Sequence, residues 1–113
     1  MGGAAPNNVG FGYIVDAVEL TIDEPKIIYE LTKKLYPTIA KRNGTTSSRV
    51  ERAIRHVIEQ VYLKADLKRL DHFLGNIVDP EKGRPTNGAF IAALALKLAR
   101  TANPPPKEEH SLN

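Results

Sequence analysis

Arg49, Arg52 and Arg55, with Glu51 and His56 among them and the hydroxyls of Thr46, Ser47 and Ser48 just ahead, crowd one short stretch with hydrogen-bonding groups. A guanidinium fork can pair with O6 and N7 of guanine, and a carboxylate such as that of Glu51 can accept from N4 of cytosine. Three arginines close to a helix start therefore suit a helix whose first two turns enter the major groove of DNA. The competing reading is a solvated face, with Arg52 and Glu51 or Glu59 as ordinary surface charge on an amphipathic helix. Local charge argues against it. From Lys41 to Arg69 there are eight Lys or Arg against three Asp or Glu, a balance of +5 where the whole chain carries +3. Positive charge concentrated in this way is what a phosphate-binding footprint requires.

The elements that would hold these side chains can be read around them. Val50, Ala53, Ile54, Val57, Ile58, Val61 and Tyr62 recur at helical spacing, which predicts a core-facing stripe on a helix over about 47–64. Ser48 with Glu51 fits a capping box, and Thr46 or Ser47 can equally be the first cap, so the helix starts within Thr46 to Ser48. Ala40, Gly44 and Val50 fall where a helix-turn-helix over about 37–64 needs a small residue, a turn glycine and an apolar anchor. Gly44 can adopt the positive φ that ends the first helix cheaply, and Ala40 leaves room for the second helix to cross.

Elsewhere the chain reads as helices joined by short breaks. Met1 to about Val9 reads as a flexible leader, followed by a first helix over Phe11 to Ile22 with Ile14, Val15, Val18 and Ile22 inward. Asp23-Glu24-Pro25 suits a helix start, with Asp23 as cap and Ile27, Ile28, Leu31 and Leu35 as the buried stripe, until Pro37 interrupts and opens the motif's first helix. After the motif, Asp66 caps a helix over Leu67 to Leu74 whose Leu67, Leu70, Phe73 and Leu74 face the core, and Gly75 stops it. A loop over 76–84 carries Lys82-Gly83-Arg84, which reads either as a solvated turn or as a contact to a backbone phosphate. Thr86 or Asn87 caps a last helix to about Ala102, with Phe90, Ile91, Leu94 and Leu98 inward. Pro104 to Pro106 open a disordered tail over 103–113.

Composition narrows the function classes. The 113 residues suit one small domain over about 10–102, without cysteine for a disulfide or a thiolate zinc site. No apolar run approaches the roughly 20 residues of a membrane span, and the first residues lack the pattern of a signal peptide, so a cytoplasmic location without membrane contact is expected. His56, His72 and His110 show no metal-ligand spacing, and no strained nucleophile turn accompanies any Ser, His and Asp, so neither an enzyme, a metal site nor a cofactor is expected.

The run LYPTIAKRNGTTSSRVERAIRHVIE, Leu35 to Glu59, followed by RPTNGAFIAALALKLA, Arg84 to Ala99, resembles the C-terminal DNA-binding effector domain of the master response regulator of endospore formation, the stage 0 sporulation protein A type. The match runs from about Gly10 to Leu98. It implies an all-α single domain of about six helices that binds a short promoter element centred on TGTCGAA, often as tandem copies on DNA. Carried over residue by residue, Arg49, Glu51 and Arg52 face bases, Arg55 and His56 touch phosphates or flanking bases, and Thr46, Ser47 and Ser48 offer hydroxyls and N–H groups to phosphate. The resemblance also implies a contact to the polymerase sigma factor through 66–78, although Lys68, Arg69, Asp71 and His72 replace much of the small polar surface expected there. Full-length members carry an N-terminal receiver, which nothing in this sequence resembles. The alternative is a helical protein-interaction module that keeps the fold and works without DNA.

Overall fold

The computed structural model describes residues 7–102. No strand forms among them, and one isolated antiparallel bridge joins Asp79 to Arg84. The architecture is all-α, with α1 (Asn7–Asp23), α2 (Tyr36–Asn43), α3 (Ser47–Lys64), α4 (Leu67–Leu74) and α5 (Asn87–Ala102) in chain order. The expected tail over 103–113 and residues 1–6 of the expected leader lie outside the described residues.

Helix α1 starts at Asn7, inside the stretch read as a leader to Val9, and runs through two glycines. The reason is contact. A Cβ on Gly10 would stand 2.6 Å from Val57 Cγ2 and 2.8 Å from the Ala53 carbonyl oxygen, so only glycine lets α1 lie this close to α3. Tyr13, Ile14, Ala17 and Val18 form the buried face, whereas Val15 and Ile22 are exposed, contrary to the expected stripe. The buried set follows Gly10 around the helix because α1 packs against both α3 and α5. Thr21 is buried as well, its hydroxyl donating to the Ala17 carbonyl at 2.8 Å.

Between α1 and α2 the expected second helix takes a different form. Asp23 is the last residue of α1 and caps nothing. Pro25 instead opens a 3-10 segment, Pro25–Tyr29, which buries Ile27. A π segment, Leu31–Leu35, then runs directly into α2. Leu35 N–H reaches back to Glu30 and Tyr36 N–H to Leu31, five residues rather than four. The wider turn makes room at Pro37, whose ring would clash with the carbonyl four residues back in an ordinary α-helix interior. Pro37 therefore sits in the first turn of α2 without breaking the path.

The core joins Ile14, Ile27, Leu35, Ile39, Val50, Ile54, Ile58 and Ile91 among others. Tyr62 meets Phe90 edge to face, with ring centroids 6.3 Å apart. Helix α4 has the expected ends, Asp66 accepting from Arg69 N–H at 3.3 Å and Gly75 at a φ of 97°. Its burial is thinner than expected. Leu74 is buried and Leu70 partly so, but Leu67 and Phe73 are exposed. In α5, Phe90, Ile91 and Ala95 face inward, whereas Leu98 is exposed, contrary to the expected stripe.

Gly10 and Gly12, two residues apart on α1, make a test of the α1–α3 contact. Gly10→Ala should lower the urea midpoint by the equivalent of about 1–3 kcal/mol through overpacking. Gly12, which has open space around its Cβ position, should gain stability as alanine by about 0.8–1 kcal/mol. Equal shifts in both variants would mean that α1 does not touch α3 at Gly10. Ile54→Ala should cost about 2–5 kcal/mol, and an Ile54→Ala protein as stable as the parent would show that this face of α3 does not look inward.

Candidate nucleic-acid interface

Gly44 ends α2 with φ 64° and ψ 37°, its N–H donating to the Ala40 carbonyl, and Thr45 N–H donates to the same oxygen at 3.0 Å. Nothing lies within 4 Å of a Cβ placed there, so the positive φ alone accounts for the glycine. Thr46 is extended, and its hydroxyl oxygen accepts from Arg49 N–H at 3.2 Å, which settles the first cap. The Ser48–Glu51 capping box does not form, because with Thr46 as cap the third helical position is Arg49. Glu51 pairs elsewhere.

Burial on one side of α3 aims the other. Val50, Ile54, Val57, Ile58 and Tyr62 are buried, with Ala53 and Val61 half-buried beside them. Arg49, Arg52 and His56, at i, i+3 and i+7, form an exposed stripe on the opposite face, and Thr46 and Ser48 are exposed at its head. Ser47 is half-buried. Neither Arg49 nor Arg52 enters an ion pair among the described residues.

Glu51 and Arg55 stand apart from that stripe. Arg55 Nη1 meets Glu51 Oε2 at 2.7 Å within the helix, both side chains partly exposed. They line a cleft of about 320 Å³ on the flank of α3, closed on its far side by the 82–84 turn and the start of α5. Of the eight residues predicted from the sequence, Thr46, Ser48, Arg49, Arg52 and His56 are exposed, Ser47 is half-buried, and Glu51 and Arg55 are paired on the flank.

Sequence reasoning missed the residue that joins these parts. Thr86 caps α5, its hydroxyl oxygen accepting from Ala89 N–H at 3.1 Å. That leaves the Asn87 side chain to cross the bundle, where Nδ2 donates to the Tyr36 hydroxyl at 3.1 Å and to the Glu51 carbonyl at 3.2 Å. One carboxamide therefore ties α5 to both helices of the motif. Burial pushes the Tyr36 phenol above its usual range, only partly offset by the Asn87 bond, so the hydroxyl stays protonated. The only signal was an Asn directly after a capping Thr, which reads as a second cap rather than as a bridge. A further tie comes from Arg84, whose Nη2 meets Glu59 of α3 at 3.1 Å.

The 66–78 segment lies at the other end of α3. The Asp71 carboxylate accepts from Ile77 and Val78 N–H at 2.7 and 3.0 Å, folding the chain after Gly75 back against α4. Lys97 lies 4.5 Å from the centre of the exposed Phe73 ring. No group of three or more His, Asp or Glu gathers as a metal-ligand set among the described residues, and no helix among them is long and apolar enough to cross a membrane.

The family model for the C-terminal domain of the sporulation initiation factor Spo0A matches residues 2–98, most of the chain and all of the helix-turn-helix. With that match over a helical domain whose α2–Gly44–α3 unit presents an arginine stripe to solvent, the protein belongs to the sporulation initiation factor Spo0A C-terminal family of DNA-binding effector domains.

Proposed function

We propose that this domain binds promoter DNA sequence-specifically, with α3 in the major groove and Arg49 and Arg52 reading guanines. One observation carries the reading: the exposed Arg49–Arg52–His56 stripe stands opposite the buried Val50–Ile54–Ile58 face, directly after a positive-φ turn. Unpaired guanidinium groups meet guanine without first giving up a protein partner. Thr46, Ser47 and Ser48 at the helix start offer hydroxyls and N–H groups to phosphate, and His56 lies one turn beyond Arg52 for a phosphate or flanking base.

Glu51 has a more constrained part. Its carboxylate is engaged by Arg55, so it accepts from cytosine N4 only while sharing its oxygens with that guanidinium. A TGTCGAA-like element supplies both the guanines for arginine and the cytosine for glutamate. Tandem copies on adjacent elements, a contact from 66–78 to the polymerase sigma factor and a cytoplasmic setting belong to the same proposal. The exposure of Leu67 and Phe73 on α4 supports a protein contact there. That partner surface adds to DNA binding rather than replacing it, since the arginine stripe lies on a different part of the molecule.

Selection of bound duplexes from a random pool tests the reading, and a recovered consensus with G and C at fixed positions is the expected result. Arg49→Ala should weaken binding to that consensus by roughly 1–3 kcal/mol and blur one G·C position. An equal loss on every sequence would make Arg49 a phosphate ligand instead. Glu51→Ala should leave affinity for unrelated duplex unchanged or higher while preference at one position falls, as read by competition binding. A drop in both affinities together with a lower melting temperature would assign Glu51 to helix stability alone.

A further inference from the structure

The cleft beside α3 collects cations from two distant parts of the chain. Arg55 comes from the middle of α3, and Lys82 and Arg84 from the turn before α5. Glu51 also lines it, with its charge offset by Arg55 at 2.7 Å, and Glu59 holds Arg84 from outside the cleft at 3.1 Å. Lys82 enters no ion pair among the described residues. The wall holds Tyr36, at 5 % exposure, whose hydroxyl accepts from Asn87 and donates to no group among the described residues. An unspent donor on a buried side chain facing a cationic cleft is arranged for an anion.

Position identifies the anion. A helix is about 10–12 Å across with its side chains, and the major groove is about 12 Å wide, so a helix lying in the groove has phosphates along both flanks. The cleft occupies one such flank, since Glu51 and Arg55 belong to the same helix as Arg49 and Arg52. We propose that this cleft seats a phosphodiester of the DNA backbone, with Lys82 and Arg84 supplying charge and Tyr36 a hydrogen bond, and so fixes how far α3 enters the groove. This rests on the reading of α3 as the recognition helix. It makes the 82–84 turn a register-setting contact that carries no sequence preference of its own.

The test compares the whole chain with its Lys82→Gln and Arg84→Gln variants on matched and scrambled duplexes between 50 and 200 mM salt. Lys82 is exposed, so Lys82→Gln should melt as the parent does. Each variant should lose affinity by the same factor on both duplexes, and its slope of log affinity against log salt should fall by about 0.9. Replacing backbone phosphates one at a time with methylphosphonate should reveal one flanking position where the parent loses affinity and Lys82→Gln loses no more. An unchanged salt slope in Lys82→Gln, while the parent binds its consensus with steep salt dependence, overturns the cleft assignment and leaves the α3 reading standing. A parent whose duplex binding does not depend on salt overturns both.

Discussion

Val50, Ile54 and Ile58 are fully buried where α3 meets α1, α2 and α5, and that burial decides how α3 is rotated about its own axis. Each such aliphatic side chain contributes about 1.5–3 kcal/mol when removed from water. The competing surface term is small, because an exposed i,i+4 pair such as Glu51–Arg55 contributes about 0.3–0.5 kcal/mol. Turning the helix by one residue would swing the apolar stripe by about 100° and drive Glu51 and Arg55 toward the core, where charge is costly. The direction of Arg49 and Arg52 thus follows from the apolar residues behind them. The arginines need no partner of their own to be aimed.

Helix α1 supplies the surface against which that rotation is locked. It lies close enough to α3 for Gly10 to meet Val57 and the Ala53 backbone, while its Ala17 is wholly buried. Small residues here bring two backbones together, so a change on α1 reaches α3 although it lies far from it in sequence. Asn43 adds a lighter tie, its Nδ2 donating to Asp16 at 3.1 Å from the last turn of α2.

Where periodicity, capping residues and a turn glycine all agree, the fold was legible before any coordinates. This holds for α3 with its seven-residue stripe, for the Gly44 turn, and for α4 between Asp66 and Gly75. It fails where packing overrides local preference. The residues up to Val9 look like a flexible leader until α1 is seen to begin at Asn7 and to touch α3 at Gly10, and Pro37 looks like a break until the π turn before it is seen. Val15 and Leu98 have the right spacing for a core but no helix covers them, since which side of a helix is covered depends on the other helices and not on its own sequence. The candidate DNA residues were found by type and spacing. Their division into an exposed stripe and a partly exposed pair on the flank was hidden, because the reach of Arg55 to Glu51 and the crossing of Asn87 depend on side-chain geometry.

That division has a consequence for how specificity and affinity are shared. Arg49 and Arg52 enter no ion pair among the described residues, so under the proposed reading a bidentate guanine contact would cost them no protein partner. Arg55 and Arg84 are each already held by a glutamate, and a phosphate that reaches them gains only the difference between two charge-assisted contacts. Their pairing holds the side chains in place beforehand and reduces the entropy lost on binding. The paired flank is thereby suited to positioning and the unpaired face to reading. Asn87 links the two by fastening the start of α5 to the α3 backbone at Glu51, which lines the cleft two residues after Arg49.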